Sequence, residues 1–187
     1  MTRHYLLMTA LAVAVATTAI AHDQDRRHRD GRLFALLRPT HEVPALASPA
    51  TGSFTATLDE EAQTITYELT YQNLEGAPLQ AHIHVGQKGV NGAISVFLCA
   101  NPPIAPPAPA PTPPTCPAAP ATLTGTLTAA DIIGPAAQGI AATTATTNDF
   151  AKLVSVLRSG VTYANVHSTK YTGGEIRGQV RFIDRRQ

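Results

Sequence analysis

Thr64-Ile65-Thr66-Tyr67-Glu68-Leu69-Thr70-Tyr71-Gln72 is the stretch that decides the fold class. Ile65, Tyr67, Leu69 and Tyr71 alternate strictly with polar residues. A period of two places the apolar set on one face of an extended strand and the polar set on the other. The same rhythm recurs along the chain. Phe54, Ala56 and Leu58 alternate with Ser53, Thr55 and Thr57. Leu79, Ala81, Ile83 and Val85 alternate with Gln80, His82 and His84. Leu123, Gly125 and Leu127 alternate with Thr122, Thr124 and Thr126. Ile176, Gly178, Val180 and Phe182 alternate with Glu175, Arg177, Gln179 and Arg181. With Leu33–Arg38, Ile94–Leu98 and Val161–His167, about eight strands result. Strands with one apolar and one polar face belong to antiparallel sheets packed on one side and wet on the other. The expected fold is an all-β, eight-stranded antiparallel Greek-key β-sandwich. Its core should hold Ile83, Leu69, Tyr67, Val96, Val166, Ile176 and Val180.

One segment departs from this rhythm. Phe150, Leu153, Val154 and Leu157 share a helical face, Asn148 can cap, and Gly160 stands where the chain leaves the helix. A single short helix, 149–158, is expected before the penultimate strand. Thr128-Ala129-Ala130-Asp131 suggests a shorter helical turn.

The N-terminus reads as an export signal, residues 1–21. Arg3 and His4 precede an apolar run, Tyr5 to Ala16, and Ala19-Ile20-Ala21 is a small-x-small cleavage site. The run is short for a membrane span, so no span is expected after its removal. Residues 22–31 are polar and read as a flexible arm. The folded domain is expected over 32–184, and the protein in the periplasm or outside the cell. Two cysteines in an exported chain, Cys99 and Cys116, read as a disulfide. It closes a proline-rich loop, 99–116, already stiff by composition.

Composition excludes several functions. With Arg3 removed, 13 basic residues face 13 acidic ones, which gives no general attraction to nucleic acid or anionic membrane. Aromatic residues are 5% of the chain and Trp is absent, so stacking platforms for sugars or single-stranded nucleic acid are not expected. There is no Gly-x-Ser-x-Gly elbow, and Ser168 next to His167 points to the opposite strand face. Gly86, Gly89 and Gly92 lie between strands and not before a helix, so they form no phosphate loop.

The histidines carry the remaining chemistry. His82 and His84 project from one strand face. His167 lies on the polar face of another strand with Tyr163 and Asn165. If those strands are neighbours, three imidazoles surround one point, a donor set that suits copper or zinc. The other reading is a solvated polar face. Glu175 and Arg177 read as an ion pair or polar cross-strand contacts, with Glu175 orienting a ligand histidine as a third option. His22, the new N-terminus after cleavage, is a weaker copper chelator on a floppy arm.

The Glu42-Val43-Pro44 opening, Ala50-Thr51-Gly52, Ala81-His82-Ile83-His84 and Asn91-Gly92 resemble the CHRD domain. So do Asn165-Val166-His167 and Gly174-Glu175-Ile176-Arg177-Gly178-Gln179, the most specific of these motifs. The resemblance spans roughly residues 33–183. It departs at Ser168, where the family usually has Thr, and at Thr172, where it often has Pro. It implies an extracellular β-rich domain and no particular reaction. His82, His84, His167 and Arg177 also resemble, more weakly, the His-x-His pair, late histidine and anion-guiding arginine of copper–zinc superoxide dismutases. That likeness lacks the metal-bridging histidine, since none occurs between residues 85 and 166. Two functions follow as expectations. The first is a non-catalytic binding module for an extracellular protein or small ligand. The second is a copper or zinc protein using His82, His84 and His167, with dismutase-like redox activity. Asn165, Glu175 and Arg177 would then support the ligands or bind an anion.

Overall fold

The computed structural model describes residues 31–183. The expected export signal and most of the expected arm lie outside the described residues. The strands are β1 (Gly31–Leu37), β2 (Thr51–Asp59), β3 (Thr64–Gln72), β4 (Pro78–Val85) and β5 (Ala93–Ala100). They continue as β6 (Ala121–Thr128), β7 (Thr162–Ser168), β8 (Ile176–Gln179) and β9 (Arg181–Ile183), with one helix, α1 (Phe150–Arg158), before β7. One sheet has the order β6-β3-β2-β1-β9, the other β5-β4-β7-β8, and every pairing between strands is antiparallel. The chain crosses between sheets after β3, β5, β6 and β8, so the result is a two-sheet sandwich and not a meander.

The alternation of β3 works as its sequence requires. Ile65, Tyr67, Leu69 and Tyr71 are buried, while Thr66 and Glu68 face solvent. All seven residues expected in the core lie in one buried cluster. Tyr67 buries its ring there and satisfies its hydroxyl by donating to the Leu98 carbonyl of the facing sheet at 2.6 Å. The helix closes one end of the sandwich. Its buried stripe is Phe150, Leu153, Val154 and Leu157, and the Asn148 side chain accepts from the Phe150 N–H at 3.0 Å. The Thr128–Asp131 turn forms a short 3-10 helix with a capping box.

The final expected strand, Ile176–Phe182, is divided. Residues up to Gln179 pair with β7, and Arg181–Ile183 pair with β1 in the other sheet. Val180 is the pivot and is fully buried. The sheets meet here. A bridge joins Arg38 to Arg177, and a Cβ at Gly178 would stand 2.1 Å from the Leu36 carbonyl oxygen. Only glycine permits that approach.

Cys99 and Cys116 are disulfide-bonded, with Cα atoms 5.1 Å apart. Asn101 fixes the loop neck. It donates to the Cys116 and Pro78 carbonyls and accepts from the Cys116 N–H.

One expectation fails. The polar face of the β5-β4-β7-β8 sheet is not wet. His82, His84, Asn165, His167, Glu175 and Arg177 are all buried there. The cause lies in the connections. Glu42 and Ser48 of the β1–β2 segment bond to Asn165, Arg177 and Glu175, and the β4–β5 turn folds back through Asn91 and Gly92. Ile133 and Gly134 of the β6–α1 segment bond Ser95. Alternation specifies which residues share a face, but a loop can bury a polar face as thoroughly as a second sheet.

Candidate metal centre

β4 lies between β5 and β7, so its outward side chains have neighbours on both sides. Opposite β7, His82 pairs with Asn165, His84 with Tyr163, and Gln80 with His167. His167 is thus the diagonal neighbour of His82 on the same face. On the other side the register with β5 shifts twice, between Ala81 and His82 and between Ile83 and His84. Such irregularities bend a strand and re-aim its side chains. The outcome is convergence: one ring nitrogen from each of His82, His84 and His167 lies within 4.8 Å of the others. Bonds of about 2.0–2.1 Å to a common ion would require the three nitrogens to draw closer than this by rotamer adjustment.

The hydrogen bonds define the free nitrogens. His84 Nδ1–H donates to the Gly92 carbonyl at 3.0 Å, and His167 Nδ1–H donates to the Thr172 carbonyl at 2.9 Å. These assignments leave a lone pair on Nε2 of each neutral ring. His82 Nδ1 then donates to His167 Nε2, 3.3 Å away. Nε2 of His82 and of His84 is buried without a protein partner. Unpartnered buried acceptors cost free energy that a bound cation recovers.

Electrostatics keep the rings neutral. Burial pushes the His82 imidazole down to about 2, with His167 and His84 adding to the shift. Burial takes His84 down to about 4, opposed by its Gly92 bond and assisted by His167 and Arg177. His167 is also lowered, first by burial, against the pull of Thr172. Neutral imidazole is the form that binds metal.

The surroundings are aromatic and cationic. Phe97 and the His82 ring meet edge to face, centroids 4.3 Å apart. Tyr163 stacks on His84 at 4.7 Å, and the Arg177 guanidinium lies 4.5 Å over the Tyr163 ring. Arg177 does not pair with Glu175, as the sequence suggested. Its Nε–H donates to Glu42 Oε2 at 2.6 Å, and its Nη2–H to Asn91 Oδ1 at 2.7 Å. Asn165 donates to the other Glu42 oxygen at 2.5 Å. Burial holds the Glu42 carboxyl above its ordinary range, against Arg177 and Asn165. Gly174, at φ +124°, allows this packing, because a Cβ there would meet Asn165 and Glu42 within 3 Å.

Glu175 is displaced from the role of orienting a ligand histidine. Its Oε1 accepts from the Ser48 hydroxyl at 2.6 Å and the Glu75 N–H at 2.8 Å. Backbone carbonyls, not Glu175, fix the histidine tautomers. Tyr163 was placed on the polar face by the sequence, but Glu42 and Phe97, which complete the setting, were passed over as site residues. Glu42 stood inside a quoted motif, but its partner lies 135 residues away.

Two surface hollows differ in their relation to the histidine cluster. One of about 660 Å³ lies on the β6-β3-β2-β1-β9 sheet and touches none of the histidines of the cluster. The other, about 370 Å³, is lined by Phe34, Leu36, Val43, Lys88, Tyr163 and Arg177, and so borders the column that leads to His84.

The family model for the CHRD domain matches residues 33–180. No curated protein and no solved structure matches significantly. The matched span runs from β1 through the Val180 pivot and contains the three histidines, Glu42 and Arg177. The chain belongs to the CHRD-domain family.

Proposed function

We propose that this CHRD domain is a non-catalytic extracytoplasmic module whose ligand is a copper or zinc ion held by His82, His84 and His167. The observation that carries the reading is the convergence of three buried imidazoles, two with unpartnered Nε2 atoms. A solvated histidine face would not bury these rings. A purely structural cluster would pair every buried ring nitrogen, whereas Nε2 of His82 and of His84 has no protein partner. Export is supported by the signal-like N-terminus and by the disulfide, which persists in oxidising compartments. No helix among the described residues is long and apolar enough to cross a membrane.

The residues do not favour dismutase chemistry. The fourth described histidine, His41, is exposed, and no further His, Cys, Asp or Glu among the described residues joins the cluster. Arg177 is held by Glu42 and Asn91, which removes it from the part of a free anion guide. The hollow at Phe34, Leu36, Tyr163 and Arg177 supports a second reading, a docking place for an organic ligand or protein partner.

Calorimetric titration of the metal-free protein with Cu(II) and Zn(II) tests the first reading. One saturable equivalent is expected for wild type, lost in a His82→Ala/His84→Ala double variant. Equal, weak heats from both proteins would leave only the second reading.

A further inference from the structure

We infer that the three-histidine centre selects monovalent copper, Cu(I), over Zn(II) and other dications. The inference rests on the reading that the cluster holds a metal ion, and adds the charge and identity of that ion.

The first argument is the charge of the donors. The cluster contains three histidines and no carboxylate. Three neutral imidazoles leave the full ionic charge in place: +1 for Cu(I), +2 for a dication. Both cysteines are locked in the disulfide, so neither supplies a thiolate. The tautomer-fixing partners are the Gly92 and Thr172 carbonyls. A carboxylate in that position would add negative charge and raise ligand basicity, whereas a carbonyl only orients the ring.

The second argument is the surrounding field. The Arg177 guanidinium lies 4.5 Å over the Tyr163 ring, which stacks on His84 at 4.7 Å, so a fixed positive charge stands near the cluster and disfavours a further one. It stands at the end of the Arg177–Tyr163–His84 column. Glu42, the acid nearest to it, is already engaged by it.

The third argument is burial. His82 is 0% exposed, His167 6% and His84 8%. Phe97 closes one side. Transfer of an ion into such a site costs free energy that grows with the square of its charge, so a dication pays about four times the cost of a monocation of equal radius. Zn(II) fills its shell with a fourth ligand, and Cu(II) prefers four or more in a tetragonal array. Two or three nitrogen donors complete the shell of Cu(I), a d¹⁰ ion that tolerates low coordination.

Anaerobic competition decides the matter on the disulfide-bonded protein. The metal-free chain is titrated against a chromophoric Cu(I) chelator and, separately, against a Zn(II) indicator. Cu(I) is expected to bind tighter than Zn(II) by about tenfold or more, a difference of at least about 1.4 kcal/mol. X-ray absorption of the copper form should show two or three nitrogen neighbours and a Cu(I) edge. His82→Asp, which places a carboxylate in the cluster, should move the ratio toward Zn(II). Circular dichroism confirms that this variant is folded, and the wild-type ratio stands without it. Zn(II) binding as tight as Cu(I), and lost in the His82→Ala/His84→Ala variant, would overturn the selectivity while leaving a metal site. Failure of wild type to exceed that double variant for either ion would overturn the metal reading and the selectivity together.

Discussion

Glu42 and Arg177 lie 135 residues apart and meet as a buried ion pair, with side chains 3% and 7% exposed. The pair is the residue-scale hinge of the site, because Arg177 carries Tyr163, and Tyr163 carries His84. Glu42→Ala leaves a buried guanidinium without its counter-charge, so a loss of about 3–5 kcal/mol is expected in urea unfolding. Replacing both partners by apolar residues of similar size, Glu42→Leu with Arg177→Met, should cost less than the single change. A double variant less stable than Glu42→Ala would contradict this. The sequence made part of this scale legible. Period two placed His82 and His84 on one face. It was silent on their nearness to His167, which depends on the pairing of strands some eighty residues apart. It was silent too on Glu42, since nothing local marks a partner across that distance.

At the scale of elements, β8 and β9 hold the two sheets together through one buried pivot. Ile176 is wholly buried between them, and its truncation to Ala should cost about 2–5 kcal/mol by thermal or urea unfolding. Gly178→Ala should be worse than its single methyl suggests, because the Leu36 carbonyl occupies the space of a Cβ. An alanine there that left the unfolding midpoint unchanged would refute the close contact. The strands themselves were readable because apolar alternation is local. The division of the last strand was not, since Ile176 to Phe182 alternates without a break. The transfer between sheets shows only in the partners, β7 before Val180 and β1 after it. The wet face assigned to β4 and β7 was wrong for a related reason. Loops with no periodicity of their own decide whether a polar face is covered.

For the whole molecule, three neutral buried histidines couple stability to pH. Unfolded histidine takes up a proton near its ordinary value of 6.5, whereas the folded rings resist until about 4 for His84 and about 2 for His82. The unfolded chain therefore binds more protons between these values, and stability falls as pH is lowered through that window. Each histidine contributes a slope of up to about 1.4 kcal/mol per pH unit. Metal-free protein should lose thermal stability from pH 6.5 toward 4, and a His82→Ala/His84→Ala variant should show a shallower fall. Identical slopes would contradict the buried, neutral cluster. The disulfide acts on the same scale. Its 17-residue separation corresponds to about 3 kcal/mol in the chain-entropy model. The stiff proline-rich segment should reduce this, which unfolding with and without reductant measures.

His82, His84 and His167 are proposed to hold one metal ion. Nitrogen-15 NMR of the imidazoles during a metal titration tests this most directly. The metal-free protein should show Nδ1–H tautomers for His84 and His167. Their Nε2 resonances, with one ring nitrogen of His82, should shift together and saturate at one equivalent of copper or zinc, while exposed His41 remains unchanged. Cluster resonances that stay in place after one equivalent, with changes confined to other histidines, would contradict the account.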